Sequence, residues 1–339
     1  MIPEALGQGT AAGTAVRAHA PAISVLVCTY NRAARLVELL ESVATQAFEG
    51  DGKDAAEIVV VDNNSTDDTS SAVAGFASVS RWPVRYLLER RQGKAYALNT
   101  GLRAARAEIC LVLDDDQRMP AGYLARVLAL FRDRADISFA GGRVLPVWGA
   151  PPPAWLTPAC WAPLGMADYG ARAFVVDATR LVCLLTFAFR KADVEEVGGF
   201  RAELGVSDGR PGSTEDAELI RRLVDAGHRG LYAPHLVLEH HAPAARLTAG
   251  YYRNWYRGHG RYLALDRDPA IERTRLKLAG IPGHMVRSAG RDLLFSLSCR
   301  LRGDAAGALR HELQLQQFLG FARQRIADSW RASATPAAG

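Results

Sequence analysis

Apolar positions along the first 130 residues fall into blocks of two kinds. Short continuous runs, Ile23–Cys28, Glu57–Val61, Val84–Leu88 and Ile109–Leu113, read as strands. Between them, Ala33–Ala47 carries Leu36, Leu39, Leu40 and Val43 at helical spacing. Asp67–Phe76 predicts a weak helix, Lys94–Ala105 an Ala/Leu-rich one, and Ala121–Phe131 a fourth. Strands that are apolar throughout, rather than every second residue, are buried on both faces. Their regular exchange with helices predicts an α/β fold, an open and mostly parallel sheet flanked by helices.

The pattern then changes. Pro146–Pro163 holds six prolines and three tryptophans (Trp148, Trp155, Trp161), which excludes regular helix or a central strand. Such a segment suits a lid or a packing loop, with Trp155 or Trp161 either offering a ring face to a ligand or filling the core. Val175–Phe189 returns to strand-like sequence. Ser213–Ala226 predicts a helix capped by Ser213 or Thr214, with Leu219, Ile220 and Leu223 inward and Gly227 as its end. Arg229–Ala233 and Leu236–Glu239 read as two short strands, and His240 and His241 follow them. Beyond about residue 245 the texture is helical. Val286, Ala289, Leu293, Leu297 and Leu301 make an apolar stripe over His284–Leu301, with Arg287, Arg291 and Arg300 beside it. That pattern fits an interfacial helix on an anionic membrane, or a helix packed on the rest of the protein with a basic outer face.

Polar residues collect where strands end. Thr29, Tyr30, Asn31 and Arg32 follow the first strand; Asp62, Asn63, Asn64, Ser65, Thr66 and Asp67 follow the second; Asp114, Asp115 and Asp116 follow the fourth. Ligands of parallel sheets bind outside the carboxyl ends of strands. Three adjacent carboxylates at a buried strand end need a positive partner. A hard divalent cation shared with substrate phosphates supplies one.

Composition sets outer bounds. The chain has 339 residues, 49% of them hydrophobic and 23% charged, ordinary for globular protein. The longest apolar run, Leu181–Phe189 with one Thr inside it, is nine residues, against the roughly 20 that a spanning helix needs. Five scattered cysteines form no CxxC pair, which points to reduced thiols of a cytoplasmic protein. Residues 1–20 lack an apolar core and read as a disordered leader. From Ala242 onward 16 Lys/Arg stand against 7 Asp/Glu, net +9, while the remainder is net −4. The basic part suits an anionic surface or acceptor.

Six motifs in order resemble a family-2 glycosyltransferase of the GT-A type. They are Ser24-Val-Leu-Val-Cys-Thr-Tyr-Asn-Arg32, Ile58-Val-Val-Val-Asp-Asn-Asn-Ser-Thr-Asp-Asp-Thr69, Gln92-Gly-Lys-Ala-Tyr-Ala-Leu-Asn-Thr-Gly101, Leu113-Asp-Asp-Asp116, Gly198-Gly-Phe200 and Thr214-Glu-Asp-Ala-Glu-Leu219. The resemblance covers residues 22–241 and implies a catalytic domain over 21–245, followed by a basic helical extension over 246–339.

The resemblance also implies roles. Thr29, Tyr30, Asn31, Arg32 and Asp62 surround the base and ribose of a nucleotide sugar, with Asn63 and the Gln92–Lys94 turn nearby and Lys94 set to neutralise phosphate. Asp114 and Asp116 match the paired acids of Asp-x-Asp. Asp116 is the leading ligand of Mn²⁺ or Mg²⁺, with Asp114 or Asp115 on ribose or metal-bound water. A histidine in the position of His240 or His241 supplies a further metal ligand in many relatives. Asp216 matches the general base of an inverting hexosyl transfer, with Glu215 and Glu218 as its alternates. Val144-Leu-Pro146, the Trp/Pro segment and the His-His ending look most like bacterial exopolysaccharide glucosyltransferases of the succinoglycan type. A UDP-linked nucleotide-sugar donor, a saccharide or polyprenyl-linked acceptor, and an anionic inner-membrane surface are the partners this implies; no nucleic-acid module is recognisable.

Other readings are open to particular residues. A sugar-nucleotide pyrophosphorylase needs a glycine-rich triphosphate loop after the first strand, where this chain has Thr29-Tyr-Asn-Arg32. A dehydrogenase needs GxGxxG after a strand, which is absent. A non-catalytic sugar- or lipid-binding protein with a degenerate site is opposed by the intact Asp114, Asp116 and Asp216. The acidic start of the 213–226 helix also suits its dipole alone.

Overall fold

In the computed structural model, residues 20–47, 55–206, 212, 214–274 and 276–334 are described. All but the last residue of the expected leader, and the candidate cap Ser213, lie outside them. The strands are β1 (Ile23–Thr29), β2 (Ala56–Asp62), β3 (Val84–Leu88), β4 (Ile109–Asp114), β5 (Gln117–Arg118), β6 (Phe139–Trp148), β7 (Phe174–Val176), β8 (Phe187–Arg190), β9 (Gly230–Ala242), β10 (Lys277–Leu278) and β11 (Ile281–Pro282). The helices are α1 (Ala33–Ala44), α2 (Thr69–Val79), α3 (Lys94–Ala104), α4 (Tyr123–Asp133), α5 (Lys191–Glu196), α6 (Glu215–Asp225), α7 (Ala249–Asp266), α8 (Pro269–Glu272), α9 (Gly283–Leu301) and α10 (Ala305–Ala334).

The main sheet runs β3-β2-β1-β4-β8-β6-β9-β5, with β7 also on β9. Strands β1 to β4 are parallel, β8 is antiparallel to both its neighbours, and β6 and β9 are parallel. The sheet is therefore mixed and mostly parallel. Continuous apolar strands supply both of its faces. Ile23, Val25, Val27, Ile58, Val60, Ile109 and Leu111 pack with Leu36, Leu39, Val73, Leu124 and Val127 of α1, α2 and α4. Leu26, Val59, Val61, Cys110 and Val112 pack with Leu98, Val194, Leu219 and Leu223 of α3, α5 and α6 on the other face. Since side chains alternate along a strand, a run apolar at every position is what two helical layers require.

Three boundaries differ from the sequence reading. The expected strands 229–233 and 236–239 are one 13-residue strand, β9. Its register against β6 shifts between Gly141 and Arg143, so Ala233–Leu236, including Pro234, bulge where no ladder bond is demanded of the proline. Pro146 lies inside β6 rather than in a loop, because the β8 pairing ends at Gly141 and leaves β6 one paired flank there. Strand-like 175–189 resolves into β7 and β8 with a turn between them.

The Trp/Pro segment is structural. Leu156, Leu164 and Met166, with Trp148, Trp155 and Trp161 against them, form a third core with Tyr252 of α7 and Leu309 and Leu313 of α10. Trp155 meets Tyr252 edge-on at 4.8 Å, and Trp148 meets Trp161 at 6.2 Å. Helices α7 and α10 approach at glycines: a Cβ on Gly260 would lie 1.9 Å from the Gln317 carbonyl oxygen, and one on Gly320 equally close to that of Arg257. Among the described residues no helix is long and apolar enough to cross a membrane.

Candidate functional site

The carboxyl ends of β1, β2 and β4 bring the polar loops together. Asn31, in the left-handed region at φ 53°, accepts from the Thr66 amide at 2.7 Å, and its own amide donates to Ser65 Oγ at 2.9 Å. The first two loops are thereby laced to each other, with Tyr30 left 45% exposed at the rim. Asp62 is buried and accepts from the Ser65 amide at 2.8 Å and the Tyr86 hydroxyl at 2.6 Å.

Asn63 does not present a free side chain to a nucleotide. Its carbonyl accepts from the Gly93 amide at 2.7 Å, and its amide donates to the Glu89 and Arg91 carbonyl oxygens. It holds the turn that delivers Lys94. That lysine reaches Asp114 at 2.8 Å, Glu215 at 3.7 Å and Asp216 at 3.9 Å, so it joins the β4 acids to the start of α6. Burial opposes the Lys94 charge, but Asp114, Asp216 and Glu215 outweigh it and hold the ammonium form firmly.

The three aspartates part company at once. Asp115 turns inward, accepting from Thr29 Oγ1 at 2.8 Å and from Arg32 at 2.7 Å. Burial and the Asp116 charge push its carboxyl up, against the pull of Arg32 and Thr29. Thr29, buried, and Arg32, whose side chain stays 40% exposed, thus brace this acid. Asp114 and Asp116 converge with His240, their ligating atoms lying within 4.8 Å of one another. His240 Nε2 lies 3.0 Å from Asp116, yet neither ring nitrogen has a partner in hydrogen-bond geometry, although both are buried. Burial works against the Asp116 carboxylate, but His240, Arg32 and Arg246 together hold it well below the ordinary range.

Strand alternation separates the two histidines. His240 points into this cluster, whereas His241 turns to Arg35 at 3.3 Å. Gly165, at φ +73°, lets the chain cover the His240 ring: a Cβ there would sit 2.7 Å from Cε1. Two carboxylates and an imidazole with unpartnered nitrogens suit Mn²⁺ or Mg²⁺ by their chemistry, as oxygen-rich sites for hard ions do.

Helix α6 begins at the site. Thr214 precedes it, but its hydroxyl is buried without a partner and makes no cap bond. Glu215 is completely buried with both carboxylate oxygens lacking hydrogen-bond partners. Asp216 has its carboxyl pushed up to about 8, first by burial and then by the Glu215 and Asp114 charges, with Lys94 opposing. Cys28 and Cys183 lie close enough to feel these charges, and burial keeps both thiols neutral.

Arg246 is a site residue that the sequence reading missed. It follows β9 in a short turn and lies 3.3 Å from Asp116. Nothing distinguishes it in sequence from the other basic residues after Ala242; only the turn that follows β9, four residues beyond the strand's end, brings it here.

Comparison with known proteins agrees with this architecture. Residues 24–157 match the family described as Glycosyl transferase family 2. A GalNAc(5)-diNAcBac-PP-undecaprenol beta-1,3-glucosyltransferase of Campylobacter jejuni is 36% identical over 110 residues, 32% of this chain and 34% of that enzyme. The matched part thus spans about a third of that relative's length. A mannosyltransferase from Pyrobaculum calidifontis, solved with GDP-Man and Mn²⁺, superposes with a TM-score of 0.60 at 20% identity, covering 90% of this chain and 87% of that one. Staphylococcus aureus TarS 1–349, solved with UDP-GlcNAc, gives 0.55 at 20% identity over 91% of this chain and 89% of that one. The sheet with its flanking helices is of the GT-A type, and its first part, residues 24–157, is similar to glycosyl transferase family 2.

Proposed function

We propose that the protein is an inverting, metal-dependent glycosyltransferase that moves a hexose from a UDP-linked donor to a saccharide or lipid-linked saccharide. One observation carries this reading: a largely buried carboxylate, Asp216, and the Asp114–Asp116–His240 cluster meet across Lys94 at one edge of the sheet. A GT-A neighbour that holds Mn²⁺ with a nucleotide sugar supports the metal, and one that holds UDP-GlcNAc supports a uridine donor.

Asp216 takes the proton of the acceptor hydroxyl as that oxygen bonds to the anomeric carbon. The bond from that carbon to the diphosphate oxygen breaks, and its electron pair leaves with the nucleotide. Asp114, Asp116 and His240 would hold the divalent ion, which when bound stabilises the growing diphosphate charge. Arg246 and Lys94 flank the same region as fixed cations. Tyr30 and the Asp62 loop border the nucleotide end. Glu215, fully buried beside the base with Lys94 3.7 Å away, is the alternate acid of the site.

The acceptor end of the reading has separate support. The Campylobacter relative is named for an undecaprenol-linked saccharide. In this chain α9 leaves Val286 41%, Leu293 50%, Leu294 69%, Leu297 50% and Leu301 91% exposed, beside Arg287 and Arg291. An apolar stripe edged with arginines matches an anionic bilayer surface, where a polyprenyl-linked acceptor resides. These features support a working position on the inner face of the cytoplasmic membrane.

A donor screen tests the central reading. Purified protein with Mn²⁺ is expected to release UDP from at least one UDP-hexose and to lose that release on chelation. Failure to bind UDP, together with no turnover of any nucleotide hexose, would sink it.

A further inference from the structure

Helix α7 is held at both ends of the site. Just before it, Arg246 lies 3.3 Å from Asp116. In its first turn, the Tyr251 hydroxyl donates to the Pro163 carbonyl oxygen at 2.9 Å. At its far end, Asp266 accepts two hydrogen bonds from Arg221 of α6, at 2.7 and 3.0 Å. Between these ends, Gly212, two residues before Thr214, comes so close that a Cβ would lie 2.4 Å from the His259 amide nitrogen. An 18-residue helix is about 27 Å long, so α7 runs alongside the whole distance from the metal cluster to the base helix.

Its two sides have different partners. Arg253 and Arg257 pair with Glu312 and Gln316 of α10, and Gly260 abuts Gln317. Tyr251, Trp255 and His259, four residues apart, share another face. Tyr251 packs with the Trp/Pro core and feels the charges of Arg246, Asp116 and Arg32. His259 meets Gly212. Trp255 lies between them, half-buried, yet it belongs to none of the four apolar clusters among the described residues. Its ring is steadied from its own helix, stacked on His259 at 4.7 Å and 18° and edge-on to Tyr256 at 5.4 Å.

We propose that this face of α7 walls the acceptor side of the cleft and that Trp255 is the platform for an acceptor sugar ring, an inference that rests on the glycosyl-transfer reading. A rigid indole offers a broad apolar face with little conformational freedom to lose. The C–H face of a pyranose matches that surface, while its hydroxyl edge reaches toward Asp216. Trp155 and Trp161 are committed to the core and are not available for this role.

The test uses the full chain, Mn²⁺, the UDP-hexose with the fastest UDP release, and octyl β-glycosides of glucose, galactose and N-acetylglucosamine as acceptor probes. Trp255→Ala is expected to raise the acceptor KM about tenfold or more, the loss a stacked aromatic contact brings. Its UDP affinity and its slow release of UDP to water should stay within about twofold, and Trp255→Phe should recover most of the acceptor KM. An unchanged acceptor KM in Trp255→Ala overturns the inference. So does a matching loss of UDP affinity, which would mark Trp255 as a support of the fold or of the donor pocket. A wild-type protein that releases UDP to water but uses no glycoside also overturns it while leaving the donor reading intact. If wild type turns over no donor at all, glycosyl transfer itself fails.

Discussion

A carboxyl group held at about 8 in the free protein is largely protonated at neutral pH, and Asp216 is in that position because burial and two neighbouring acids oppose its charge. A base works only when ionised. We therefore expect kcat/KM, which reports groups of the free enzyme, to climb with a midpoint at about pH 8, from about pH 7 to about pH 9, and to fall as pH drops through that range. An ascending limb confined below pH 5 would remove Asp216 from the role. Asp216→Asn should lower kcat by about 10²- to 10⁴-fold, the usual worth of a general base, with UDP affinity nearly intact by calorimetry. A large loss of UDP binding would assign the residue to the donor instead. The neighbouring triplet shows how far single residues were legible. Strand chemistry marked all three aspartates as candidates, but the inward turn of Asp115 depends on Thr29 and Arg32, more than 80 residues away in sequence. Arg246 was illegible for the opposite reason, since it resembles every other arginine in a basic segment.

Helices and strands were easier to read in kind than in partner. The stripe of α9 is visible as spacing, but spacing does not say which side α10 takes. The structure gives α10 the side of Ala289 and Ser296, with Ser296 Oγ donating to the Ala308 carbonyl at 3.1 Å, and leaves the leucines outward. Ala289, grouped with those leucines by spacing, therefore belongs to the packed face. Leu293→Gln with Leu297→Gln removes apolar contact from the centre of the outward stripe. Burying a leucine is worth about 1.5–3 kcal/mol, and half of that for each already implies at least a tenfold loss of bilayer affinity. Sedimentation with phosphatidylglycerol vesicles should show that loss, with UDP release in solution unchanged. Equal sedimentation of the double variant would leave α9 without a lipid role. Pairing was likewise hidden in β9, whose two apolar pieces look like separate strands until the Gly141/Arg143 shift on β6 shows the bulge that joins them.

Across the whole molecule, five acids converge: Asp114, Asp115, Asp116, Glu215 and Asp216. Arg32, Lys94 and Arg246 answer them with three fixed cations. A divalent ion alone adds charge to a site that those cations already occupy, and a nucleotide diphosphate alone adds negative charge beside the acids. Together they offset each other. Mn²⁺ is therefore expected to tighten UDP binding about tenfold or more, and UDP to tighten Mn²⁺ by the same factor, since such coupling is reciprocal. Titration calorimetry in both orders measures this; independent affinities would show that the cluster and the nucleotide pocket do not communicate. The α/β layering was legible throughout because apolar runs and helical spacing are local signals. The wall contributed by α7 was not, because it arises from contacts between Asp266 and Arg221, and between Gly212 and His259, that no local pattern records. One detail of β9 bears on how the protein can change over time. Leu236, Leu238, His240 and Ala242 are buried at alternate positions, and the histidines are adjacent. Losing one residue between Leu236 and His240 would bring His241 into the cluster position, and gaining one would put Glu239 there. The same event within Ala233–Leu236 has slack to absorb it, so this strand carries a reading frame of its own, with length variation confined to the bulge.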